Sequence, residues 1–225
     1  MTLLARFDRE CLAIDLEREE LANSATHALG LVLSIVGSIA LLVHCADHES
    51  LKTQRGCGIY AASLVGVYAA SMFSHLFRHA RTRRLFRILD QAFIYLLIAG
   101  SYTPLAMTYL HGGWLTVLIA AMWGIALLGF FSKILLQHRI EGVGMVAYVV
   151  LGWMPILGIK SAWELLPTSA CIWFLIGGLC YTAGLPFLIY DSRRPFNHAV
   201  WHLMVIAGSS FHYLAIWQCV SASAI

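Results

Sequence analysis

The chain has 225 residues, 60% of them hydrophobic and only 12% charged, with a formal net charge of +3. A soluble domain carries about 25% charged residues, so this composition, with a mean hydropathy of +0.75, excludes an ordinary soluble enzyme and points to a polytopic membrane protein. The small positive balance comes with no basic groove or base-stacking motif, so it calls for no nucleic-acid partner.

Residues 1–24 hold nine charges and no apolar core of a secretory signal. Leu4, Phe7, Cys11, Ile14 and Leu21 recur at helical spacing, which predicts a cytoplasmic amphipathic helix lying on the membrane surface. Seven apolar stretches follow, at 26–46, 57–77, 88–110, 114–133, 141–160, 168–190 and 198–220. Each meets the roughly 20 residues needed to span a bilayer. Residues 25–225 are therefore expected to form an all-α membrane domain, a seven-transmembrane helix bundle. Gly30, Ser34 and Ser38 in the first span, and Gly177 and Gly184 in the sixth, form rows of small residues that suit close helix packing. Pro104, Pro155 and Pro186 fall inside or at the ends of spans, where they are expected to kink them.

Orientation follows from the cations. With the N-terminus inside, the inner segments hold Arg6, Arg9, Arg18, Arg78, Arg81, Arg83, Arg84, Arg87, Lys133, Arg139, Arg193 and Arg194, which is 12 of the 15 Lys and Arg. The outer segments hold Lys52, Arg55 and Lys160. The positive-inside rule then places the N-terminus in the cytoplasm and the C-terminus outside. The stretch 78–87 reads as the longest inner loop, its five arginines set against anionic head groups. Six cysteines are scattered, with no CxxC. Cys45 and Cys57 flank the first outer loop, and sequence alone leaves a disulfide there open.

The polar residues at the span boundaries converge. His75 lies near the inner end of span two, Asp90 near the inner start of span three, and His198 and His202 at the inner start of span seven. Histidines four apart on a helix lie about 40° apart around the axis and one turn apart along it, so both imidazoles can reach one ion. Ionisable side chains inside a membrane are costly and usually functional. Three imidazoles with an open fourth position suit a catalytic zinc ion. Asp90 is placed to bind the metal directly or through a water. Ser71 shares a helix face with His75, four residues on. His27 starts span one at the same face and is a reserve ligand. His79, also four residues from His75, stands among arginines that disfavour a cation. His212 is about 15 Å beyond His202, too far to share that metal.

Longer motifs carry a resemblance. They are Glu20-Leu21-Ala22-Asn23 through His27, Ser71-Met72-Phe73-Ser74-His75, Asp90, Ala99-Gly100-Ser101-Tyr102-Thr103-Pro104, Asn197-His198-Ala199-Val200-Trp201-His202, and Phe211-His212. Through most of its length the chain resembles the hemolysin III family, the bacterial branch of the progestin and adipoQ receptor family. The resemblance implies a seven-helix, N-in bundle in the bacterial plasma membrane, with zinc held by His75, His198 and His202 and Asp90 beside the attacking water. Alkaline ceramidases are distantly similar and share the Ser, Asp and three His set, which suggests hydrolysis of a lipid amide or ester.

The leading expectation is thus a zinc-dependent integral-membrane hydrolase of a lipid-like amide or ester. Asp90 is its general acid–base and Ser71 a hydrogen-bond donor to the developing oxyanion. The alternative is a non-enzymatic, zinc-stabilised sensor or regulator of the membrane. A channel is disfavoured, because the spans show no charge ring or repeated filter motif.

Overall fold

The computed structural model describes residues 3–48, 50–77, 79–110, 113–136, 141–191 and 194–223. Among them every regular element is helical: α1 Leu3–His48, α2 Leu51–Leu76, α3 Ala80–Tyr109, α4 Trp114–Leu136, α5 Glu141–Trp153, a 3-10 turn Met154–Gly158, α6 Ile159–Leu165, α7 Thr168–Ile189 and α8 Asn197–Ser223. Seven candidate spans result, Arg18–Asp47, Leu51–Leu76, Ala80–Tyr109, Trp114–Leu136, Gly144–Leu165, Thr168–Ile189 and Asn197–Ala222. The chain is a multi-pass, all-α membrane protein. The side chains of residues 3–17, and Arg78, Arg139 and Arg193 of the inner charge set, lie outside the described residues.

α1 is one 46-residue helix. Its N-terminal stretch continues the first span without a break. The second and third spans start earlier than their apolar runs, whereas the fourth and sixth start at Trp114 and Thr168 as expected. α2 begins at Leu51 because the Ser50 hydroxyl accepts the Thr53 amide at 3.2 Å and caps the helix. α3 begins at Ala80, so the expected inner loop at 78–87 is instead largely the first two turns of a helix. Arginine is a good helix former, and Arg83 gains a partner by this placement, donating to Glu20 of α1 at 2.8 Å.

The prolines act differently from one another. Pro104 and Pro186 stay inside continuous helices. Pro155 sits in the 3-10 turn that divides the fifth span into α5 and α6.

The core is built by α2 and α8, with α1, α3 and α7 packed against them. Tyr60, Leu64, Val67, Leu97, Ile216 and Val220 are buried in one cluster. The small-residue rows lie at these contacts. A Cβ on Gly30 would stand 2.5 Å from the Tyr68 ring, and one on Gly184 would stand 2.8 Å from Met204 and 2.9 Å from Trp201. Leu29, Val32, Val36, Ile39 and Val43 of α1 are exposed, as are Val117, Leu128 and Leu135 of α4. These are the apolar faces a spanning helix turns to lipid.

Candidate metal centre

Four imidazoles meet where the middle of α1, the last turn of α2 and the first two turns of α8 converge. His27, His75 and His202 bring ligand nitrogens within 4.8 Å of one another. The His27 ring centroid is 3.6 Å from that of His202 and 4.9 Å from that of His75. His198 stands beside them, 4.4 Å from His202 and 5.7 Å from His75. His27, expected only as a reserve ligand, is one of the three histidines whose ligand atoms come together.

His75, His202 and His27 each have an oxygen partner within hydrogen-bonding reach, whereas His198 only approaches a carboxylate. His75 places Nδ1 3.2 Å from Glu20 Oε2, and the other Glu20 oxygen accepts from Arg83. His198 places Nδ1 3.5 Å from Asp191 Oδ2. His202 places Nδ1 3.1 Å from Thr26 Oγ1. The Thr26 hydroxyl donates its hydrogen to the Ala22 and Asn23 carbonyls at 3.0 and 2.9 Å. It therefore accepts from His202, whose Nδ1 carries the proton and whose Nε2 is left with its lone pair. His27 is turned the other way, with Nε2 3.3 Å from Ser71 Oγ. A carboxylate or hydroxyl behind a ligating imidazole fixes its tautomer and raises its basicity.

These donors fit a divalent cation of intermediate softness. Nitrogens bound to one zinc ion at about 2.0–2.1 Å stand about 3.3 Å apart in a tetrahedron, so the His27, His75 and His202 nitrogens, within 4.8 Å of one another, need only a small closure. Among the described residues, no other group of three His, Cys, Asp or Glu side chains meets in this way.

Asp90 and Ser71 line one cavity with His27, His198 and His202, and the Ser71 hydroxyl is a hydrogen-bond partner of the Asp90 carboxylate. The cavity measures about 410 Å³. It shares Ile94, Leu97, Tyr148, Tyr181, Leu188 and Trp201 as wall residues with an adjacent apolar chamber between α3, α5, α7 and α8. His212 lies against that chamber, not with the other histidines. Its ring packs on Phe174, and its Nε2 is 3.2 Å from the Phe174 carbonyl. His79 caps the start of α3, with Nδ1 3.4 Å from Thr82, outside the group.

One cation is not where its place in the sequence suggests. Lys133 reads as the end of a span at the inner surface, but it is buried. It donates to Gln91 Oε1 at 3.0 Å and lines the same cavity as Asp90. Glu20, Thr26 and Asp191 were also missed as site residues. Glu20 and Thr26 flank the stretch that leads into His27, but nothing in local spacing ties either of them to a histidine on another helix.

The comparisons with known proteins cover nearly the whole chain. The family described as "Haemolysin-III related" matches residues 17–213. The chain is 36% identical over 201 residues to "Hemolysin-3" of Bacillus cereus, covering 88% of this chain and 90% of that one. It is 32% identical over 204 residues to "Hemolysin-3 homolog" of Bacillus subtilis (strain 168), covering 90% and 95%. It is also 32% identical over 207 residues to "Monocyte to macrophage differentiation factor" of Homo sapiens, covering 89% and 84%.

Proposed function

The chain belongs to the haemolysin-III-related family, and from that premise we propose that it is a zinc-dependent integral-membrane hydrolase of a lipid-like amide or ester. The observation that carries the reading is a cluster of imidazoles, three of which line one cavity with a carboxylate and a hydroxyl, beside an apolar chamber that shares six wall residues with that cavity.

His75, His198 and His202 are the ligands in this reading. His75 and His202 hydrogen-bond through Nδ1 to Glu20 and Thr26, which leaves their Nε2 for the ion, and His198 stands beside them with Nδ1 3.5 Å from Asp191. His27 stands close enough to contribute a fourth nitrogen. Zinc, when bound, lowers the pKa of a coordinated water toward neutrality and polarises a carbonyl. Asp90 takes the proton from the attacking water and returns it to the leaving amine or alcohol. Ser71 turns its hydroxyl to the oxygen that gains charge as the carbonyl is attacked. The chamber takes the hydrocarbon of the substrate, and burying it there keeps the chain out of water.

Metal analysis of the purified protein tests the ligand set. His75→Ala, His198→Ala and His202→Ala are expected to lose zinc, and His27→Ala to keep most of it. Unchanged zinc in His202→Ala would overturn the site. Lipid mass spectrometry then tests the reaction. The wild type should consume a lipid amide or ester, and chelation should stop it. Asp90→Asn should keep its zinc and lose turnover by about 10²–10⁴-fold, the usual scale for a general base.

One observation favours a second reading. The imidazoles and Glu20 tie α1, α2, α3 and α8 together at one end of the bundle. A regulator that uses zinc only as a clasp would melt at lower temperature on chelation and consume no lipid.

A further inference from the structure

The opposite end of the bundle carries a second pair of reactive side chains. Cys45 is in the last turn of α1 and Cys57 in the second turn of α2, with the Ser50-capped connection between them. Both are fully buried, and their sulfur atoms are 3.1 Å apart. The charge bias puts this end on the outer face, where thiols meet an oxidising compartment.

We propose that Cys45 and Cys57 are a modification site, oxidised to a disulfide that links the outer ends of the first two spans. A disulfide bond is about 2.05 Å long, so the two sulfurs have about 1 Å to travel. The packing holds them in register for that step. Gly56, next to Cys57, lies against the α3 backbone, where an added Cβ would stand 3.0 Å from Pro104 Cα. Cys45 and Cys57 share one buried cluster with Ala215, Ile216, Cys219 and Val220 of α8.

The oxidant is a disulfide, RSSR, of the outer compartment. One cysteine attacks it as a thiolate, forms a mixed disulfide and expels the first RSH. The second cysteine attacks that mixed disulfide at the protein sulfur and expels the second RSH. The pair loses two hydrogens and two electrons, and RSSR gains them. Because α8 helps to bury the pair, the exchange belongs to assembly, before α8 docks. The finished bond is then shielded from reductants. It would hold α1 and α2 together at the end opposite His27 and His75.

The test uses the full chain in its own membrane. Thiols are quenched in acid and alkylated with N-ethylmaleimide under denaturation without reductant, and the protein is digested with trypsin. Lys52 and Arg55 lie between the two cysteines, so the peptides separate unless they are linked. The expected result is one linked pair, two hydrogens lighter than the separate peptides, with Cys171, Cys180 and Cys219 alkylated. Reductant should open the bond only when denaturant is added. Cys57→Ser should leave Cys45 alkylated in a protein with unchanged metal content. Recovery of Cys45 and Cys57 as alkylated thiols in the wild type, or a link from either to a different cysteine, would overturn the proposal.

Discussion

The hydroxyl of Thr26 decides which nitrogen of His202 faces the other imidazoles. It donates to the backbone of its own helix and so can only accept from His202. Thr26→Val keeps the shape of the side chain and removes the acceptor. Zinc affinity, measured by competition with a calibrated chelator, is expected to fall about 10–100-fold, the usual effect of losing such a partner. Thr26→Ser should restore it, and equal affinities for all three proteins would show that the hydroxyl orients nothing. This partnership was not legible in the sequence, because Thr26 and His202 are 176 residues apart and no periodicity links them. His75, Asp90, His198 and His202 were legible, since ionisable groups stand out against apolar spans and the arginines assign them one depth. His27 stood out for the same reason. It ranked only as a reserve ligand, although it begins span one at the same face.

At the scale of the helices, hydropathy located all seven spans and most of their ends, but set the starts of the second and third too late. The run Arg81–Arg87 reads as a loop by composition, yet it is helical, because Arg83 reaches Glu20 on α1. Lys133 stands at the end of the fourth span as expected, but its burial was not legible, since its Gln91 partner lies on α3. Helix contacts, by contrast, follow the small residues closely. Gly177 of α7 faces the His212 ring, and a Cβ there would also meet the Gly208 carbonyl of α8 at 3.0 Å. A side chain can move aside, but a helical carbonyl cannot. Gly177→Ala is therefore expected to cost about 1–3 kcal/mol, the range for overpacking. Gly124 of α4 is the control. An added Cβ there meets nothing within 4 Å, so Gly124→Ala should be neutral or stabilising by about 0.5–1 kcal/mol. Melting temperatures in detergent compare the two. A Gly177→Ala protein as stable as Gly124→Ala would mean that α7 and α8 can separate freely.

Across the whole molecule, the imidazoles and their carboxylate partners gather at the end that carries the arginines, and the apolar chamber adjoins their cavity through shared wall residues. In the hydrolase reading this arrangement sets substrate length, because the head group stays at the imidazoles and the chain extends between α3, α5, α7 and α8. Gly152 of α5 lines the chamber, and an added Cβ meets no atom within 4 Å. Gly152→Phe can therefore fill the chamber without disturbing the backbone around it. None of the imidazoles lines the chamber at Gly152, apart from His212, which stands outside the metal group. Zinc content should stay at the wild-type level. Turnover of a long-chain amide or ester is expected to fall by about tenfold or more, since misfit by one or two methylenes in an apolar pocket already costs that much. A short-chain analogue, which ends before the blocked region, should be turned over as by the wild type. The ratio of the two rates is the measurement, and it cancels differences in folded fraction between preparations. Equal losses on both substrates would mean that the substitution acts on the reacting groups. No loss on either would mean that the hydrocarbon lies elsewhere and that the chamber does not select the substrate.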